Sequence, residues 1–296
     1  MVSQTLRGAA YHDPTLCLWE RVTGKEVLQI KKAMSSAFAF APDSRLLAAD
    51  DGGVSFFHGS VGSPSFGSTI SLWDTLNGER QSTLSGHTAQ VRCLAFSPDG
   101  KTLASGSADH TILIWNAPPL KEAKANAVKP TAEQLQRWWE DLAGADAAVA
   151  HQASGKLVFS PTSAVAMLRA KLRPISAVDP NKIAPLIKDL DSSQFQVRDQ
   201  AIRQLEALED LVEPALLAAL AATPSLEKRR RLESLLEKAA AHSARQMQML
   251  RALTVLERIA SPEARQVIES LSRGTPDARI TREAQASLRR VGALTE

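Results

Sequence analysis

Residues 85–116 read SGHTAQVRCLAFSPDGKTLASGSADHTILIWN, and this stretch decides the fold of the first half of the chain. Short runs alternate apolar and polar residues and end in the turn chemistry of Pro98-Asp99-Gly100, the spacing of strands in an all-β fold. Working outward, Pro42-Asp43-Ser44 and Asn77-Gly78 punctuate the chain in the same way. The last strand of the stretch occurs three times, as Thr15-Leu16-Cys17-Leu18-Trp19-Glu20, Thr69-Ile70-Ser71-Leu72-Trp73-Asp74 and Thr111-Ile112-Leu113-Ile114-Trp115-Asn116. Phe40-Ala41-Pro42-Asp43 and Phe96-Ser97-Pro98-Asp99 stand upstream of the last two copies. The first half is therefore an internal repeat of β structure.

Gly86-His87, Phe96-Ser97-Pro98-Asp99-Gly100, Leu103-Ala104-Ser105-Gly106-Ser107, Asp109 and Ile114-Trp115-Asn116 carry the landmarks of a WD repeat, and residues 15–117 resemble part of a WD-repeat β-propeller. The resemblance implies a hydrogen-bonded chain through His87, Ser105 (or Ser107), Asp109 and Trp115. A buried indole N–H needs an acceptor and a buried carboxylate needs donors, so such a chain satisfies its members mutually and pins strand register. The same residue types make up a catalytic Ser-His-Asp set. The resemblance makes them a scaffold.

The preceding repeat, about Lys25 to Trp73, is degenerate: aligning Phe40 on Phe96 puts Ile30-Lys31 at the Gly-His position, Ala49 at the serine and Gly53 at the aspartate. Only Trp73 remains of the four, which predicts a weaker blade. Phe40 to Phe96 spans 56 positions and Trp73 to Trp115 only 42, so 14 residues are inserted between Gly53 and Thr69. This Gly/Ser-rich segment carries Phe56, Phe57, His58 and Phe66. It reads either as an elongated hairpin tip or as a partner-binding loop. No Gly-Lys-Ser/Thr follows its glycines, so it is not a phosphate loop. About two and a half blades cannot close a ring of the seven that the resemblance implies. The expectation is a partial propeller whose open edges invite self-association.

Pro118-Pro119 and the polar run to Pro130 read as a linker, and from Thr131 the period is helical. Thr131-Ala132-Glu133-Gln134 is a capping box. It opens a helix that carries Trp138-Trp139 and ends near Gly144. Helices are expected from Asp179 to Asp191, around Val197 to Leu205, and over Val212–Ala222, Ser225–Ala240, Arg245–Ala260, Ser261–Arg273 and Ala278–Val291. Asp191, Val197, Arg198 and Ala201 match the spacing of a HEAT-type repeat, and the resemblance covers about residues 179–292. The order of the two halves is similar to that of large bacterial WD-repeat proteins. The fold class is multidomain, β then α: a partial WD-repeat propeller over 1–119, a linker over 120–130 and a HEAT-like α-α superhelix over 131–296. Stacked helix pairs bury faces that none could cover alone.

Lys and Arg number 35 against 32 Asp and Glu, a net charge of +3 that is too small to argue for nucleic acid. The one basic cluster, Arg229, Arg230 and Arg231, is flanked by Glu227 and Glu233. It reads as a solvated face or as a site for an acidic partner. Cys17 and Cys93 sit inside strands and read as small buried hydrophobes. Neither a signal peptide nor a membrane span is visible, which places the chain in the cytoplasm. The six histidines show no metal-ligand spacing, so no metal, cofactor or enzymatic activity is expected. The leading expectation is a protein-interaction scaffold that binds through the propeller face and the helical groove. The alternatives are a regulatory segment of a larger enzyme and a nucleic-acid binder using Arg229 to Arg231.

Overall fold

The computed structural model describes residues 2–5, 15–20, 23–31, 37–51, 69–117, 129–222, 224–240 and 243–293. Among them ten strands form three antiparallel sheets. The first holds β1 (Val2–Thr5), β2 (Thr15–Glu20) and β3 (Lys25–Lys31). The second is four-stranded: β4 (Phe38–Phe40), β5 (Leu46–Asp50), β6 (Thr69–Asp74) and β7 (Arg80–Ser85). The third holds β8 (Val91–Phe96), β9 (Thr102–Ser107) and β10 (Ile112–Asn116).

The three repeated segments are β2, β6 and β10. Each of the first two slips register by one residue just before its tryptophan, at Leu18/Trp19 and at Leu72/Trp73. A bulge recurring at one repeat position marks these strands as structural equivalents. The expected turns form. Gly78 and Gly100 have φ of +72° and +70°, and Ser44 takes the left-handed region at +59°. Its turn is held by the Arg45 N–H donating to Asp43 Oδ1 at 2.9 Å. The first sheet does not end at β2: β1 pairs with it from Val2↔Glu20 to Thr5↔Cys17.

Alternation turns one side of each sheet toward the next. Leu16 and Leu18 of β2 bury against Leu47 and Ala49 of β5. Ile70 and Leu72 of β6 bury against Val91 and Leu103 of the third sheet. Burying such side chains stabilises by about 1.5–3 kcal/mol each.

The chain divides into two compact units: one of residues 1–164, 257–260 and 289–296, the other of 165–256 and 261–288. This differs from a boundary at the 120–130 linker. Helices α1 (Ala132–Ala143) and α2 (Ala147–Val158) belong with the strands. Helix α1 opens on the expected capping box: Thr131 Oγ1 accepts from the Gln134 N–H at 3.2 Å, and Gln134 Oε1 accepts from the Thr131 N–H at 2.9 Å. Helix α2 was not expected, nor was α3 (Pro161–Lys171). Alanines at Ala147, Ala150 and Ala153 let α2 approach closely, and Ala147 enters the core of Leu16, Leu18, Val27 and Leu47. Two polar contacts fix it there. Lys25 Nζ donates to the Ala145 carbonyl and His151 Nε2 donates to the Thr75 carbonyl, each at 2.8 Å. Trp138 and Trp139 are both half-buried.

In the second unit the expected helices form as α4 (Pro180–Asp189), α5 (Phe195–Glu206), α6 (Glu213–Ala221), α7 (Leu226–Ala240), α8 (Ala244–Ile259), α9 (Pro262–Ser272) and α10 (Arg279–Ala293). The last turn of α8 and the end of α10 count with the first unit. Leu190, Leu205, Leu216 and Leu232 make the core of the α4–α7 layer. Arg198 reaches back from α5 to cap the preceding turn, donating through Nη1 to the carbonyls of Ser192 at 2.7 Å and Ser193 at 3.0 Å.

Candidate functional site

The third sheet brings together all four residues that the repeat pattern singled out. Trp115 Nε1 donates to Ser105 Oγ at 2.7 Å. Ser105 Oγ lies 2.8 Å from His87 Nε2, and His87 Nδ1 lies 2.9 Å from Asp109 Oδ2. A carboxylate only accepts, so the network assigns the His87 proton to Nδ1 and makes Nε2 the acceptor of the Ser105 hydroxyl. Two members were missed by pattern reading. Thr111 Oγ1 donates to Asp109 Oδ1 at 2.6 Å, and the Thr88 N–H donates to Asp109 Oδ2 at 2.9 Å. The Thr111 hydroxyl foremost, then the Thr88 N–H and His87, hold the Asp109 carboxyl well below the usual carboxylate range against the opposing effect of burial. Ser107 is not the serine of the chain: its hydroxyl donates to the Ala89 carbonyl at 3.0 Å and accepts from the Asp109 N–H at 3.2 Å.

The distances are those of a Ser-His-Asp triad, but the surroundings are not. Ser105 is 1% exposed and its oxygen already accepts the indole N–H. A nucleophile needs room for an acyl carbon beside its oxygen.

The second sheet shows what the degenerate pattern costs. Ala49 stands where the serine would be, and the buried Trp73 Nε1 has no hydrogen-bond partner. A partial substitute forms that the pattern did not announce: Asp51 Oδ2 accepts from Thr69 Oγ1 and Ser71 Oγ, each at 3.0 Å. Thr69 is the repeat equivalent of Thr111, so the Thr-to-Asp bond survives although the aspartate has moved. Gly53, the expected aspartate position, lies outside the described residues, as do Phe56, Phe57, His58 and Phe66 of the candidate loop.

Among the described residues, one face of the third sheet is left uncovered. Ile70 and Leu72 are 0% exposed, while their repeat equivalents Ile112 and Ile114 are 75% and 67% exposed. Register places Ala104, Gly106, Cys93 and Ala95 on the same face. Cys93 is therefore exposed, against the expectation of burial, whereas Cys17 is buried. Its Sγ occupies the space over Gly106, where a Cβ would come within 2.7 Å of it.

Two members of the basic cluster are held by neighbours: Arg231 Nη2 meets Glu227 at 2.8 Å and its Nη1 donates to the Leu190 carbonyl at the end of α4 at 2.8 Å, Arg229 Nε lies 3.5 Å from Glu233, and Arg230 is exposed. Among the described residues no group of His, Cys, Asp and Glu could hold a metal ion, and no helix is long and apolar enough to cross a membrane.

The register and the tetrad of residues 78–116 are those of one WD repeat. Comparison with known proteins agrees: residues 78–116 match the family described as WD domain, G-beta repeat. Over 124 residues the chain is 30% identical to apoptotic protease-activating factor 1 of Danio rerio, covering 41% of this chain and 9% of that protein. Over 130 residues it is 30% identical to the serine-threonine kinase receptor-associated protein of Gallus gallus, covering 35% of this chain and 37% of that one. The chain thus spans well under half the length of these relatives. A chain in the crystal structure of a mitotic checkpoint complex is similar at a TM-score of 0.31 and 19% identity, over 40% of this chain and 34% of that one.

Proposed function

We propose that the chain is a non-catalytic protein-interaction scaffold: a partial WD-repeat array, followed by a HEAT-like helical repeat, that associates with a second copy through the bare face of the third sheet. The observation that carries this reading is the contrast between Ile70 with Leu72 and Ile112 with Ile114. Twice within the molecule this pair of positions is buried by the next sheet, and in the third sheet it is not. The face of Cys93, Ala95, Ala104, Gly106, Ile112 and Ile114 carries no charge, so two copies can meet across a two-fold axis without like-charge contact. Its few side chains offset only part of the cost of association, which makes the contact weak and concentration-dependent. The buried, fully bonded Ser105 supports the non-catalytic part of the reading.

Sedimentation velocity tests it. The intact chain should shift from monomer toward dimer as its concentration rises, and Ile112→Ser with Ile114→Ser should abolish the shift while leaving circular dichroism unchanged. A chain that stays monomeric into the hundreds of micromolar, or a double variant that associates like the parent, refutes the use of this face.

A further inference from the structure

A cavity of about 210 Å³ in the second unit is lined by Leu205, Val212, Leu235 and Ala239 on its apolar side and by Glu206, Glu209, Lys238, Ser243 and Gln246 on its polar side. Gln246 is 4% exposed. Its Nε2 donates to Asp210 Oδ1 at 2.9 Å, which fixes the orientation of the amide. Its Oε1 is buried and has no donor. A buried acceptor left unmet is costly, and a donor that reached it would offset that cost.

The electrostatics select the donor. Lys238 Nζ is bound to Glu206 Oε1 at 2.6 Å, so that pair is neutral. Glu209 accepts only a neutral hydroxyl, that of Ser243 at 2.7 Å, and its charge is uncompensated within the lining. Glu209 also holds a left-handed backbone, φ +51°, a strained conformation of the kind found at binding sites.

We infer that this cavity binds an alkylammonium group, with the ammonium between Gln246 Oε1 and Glu209 and the methylene stem against Leu205, Val212 and Leu235. The shared chemistry is that of a small primary amine or of a lysine side chain. This inference rests on the cavity alone and stands or falls separately from the scaffold reading.

The test is a titration of the full chain with n-butylammonium, followed by NMR of the Gln246 side-chain amide and the Ala239 methyl. Saturable shifts in the millimolar range are expected with n-butylammonium, and at least tenfold weaker ones with n-butanol or butyrate. Gln246→Met and Glu209→Gln should each weaken binding about tenfold, roughly the loss of one charge-assisted contact. Glu209→Gln keeps an acceptor for Ser243, so it reads charge even if Gln246→Met disturbs Asp210. A parallel titration with Nα-acetyl-lysine N-methylamide separates the sources: binding at least as tight as n-butylammonium points to a lysine side chain, and weaker binding to a free amine. Absence of saturation with n-butylammonium, equal binding of n-butanol, or preference for butyrate overturns the inference.

Discussion

Replacing Ser105 by alanine removes one oxygen and strands two buried partners. The Trp115 indole N–H loses its acceptor at 2.7 Å, and His87 Nε2 loses its donor at 2.8 Å. Alanine nearly fills the space, so cavity formation contributes little and the cost is that of unmet polar groups. At about 1–3 kcal/mol for each, with the histidine lone pair at the lower end, the variant should lose roughly 2–4 kcal/mol. Trp115→Phe removes the donor instead, so the double variant no longer carries an orphaned N–H. It should cost about 1–2 kcal/mol less than the sum of the two single changes. Calorimetry reads these costs without relying on tryptophan emission, which Trp115→Phe alters. A Ser105→Ala cost below about 0.5 kcal/mol, or strict additivity of the cycle, would show that the chain through His87, Ser105 and Trp115 contributes nothing as a network.

Three further outcomes are expected. Ala49→Ser places an acceptor where Trp73 Nε1 has none and should raise stability by up to about 1 kcal/mol, read from urea unfolding; a loss would mean that the added oxygen crowds the core more than it serves the indole. Burial, then the Arg258 charge, pushes His151 down to about 4 from the ordinary value of 6.5. The unfolded chain therefore takes up the proton first. The stability this histidine contributes is complete above pH 6.5 and drains as pH falls toward 4, by up to about 3 kcal/mol. Asp74, whose pKa burial raises, works in the opposite sense at the acid end, so the difference between parent and His151→Gln isolates the effect; equal acid slopes in the two refute it. Finally, residues 1–119 expressed alone lack α2 and bare both the face that Ala147 covers and the Ile112/Ile114 face, and should be less soluble than the intact chain; solubility equal to that of the parent in a pelleting assay counts against this.

The sequence by itself determined what is local and periodic. Trp115, His87, Asp109 and the Pro-Asp turns could be read because each answers a requirement set within one repeat: an indole N–H needing an acceptor, a turn needing a left-handed residue, strands alternating in and out. His87, Ser105, Asp109 and Trp115 form the hydrogen-bonded chain that the resemblance to a WD repeat implied, and the orphaned Trp73 follows from alanine at position 49. The capped helices were legible for the same reason. Helix α2 was not, because its alanines and Gly155 give no amphipathic stripe, only a surface smooth enough to approach a sheet. Tertiary structure alone decided that α1 and α2 join the strands, that β1 covers the outer side of β2, and that Cys93 is exposed while Cys17 is buried. Ile70 and Ile112 occupy the same repeat position on the same kind of strand, yet one is 0% and the other 75% exposed. Nothing within either strand distinguishes them, because burial is set by whether another sheet lies against that face.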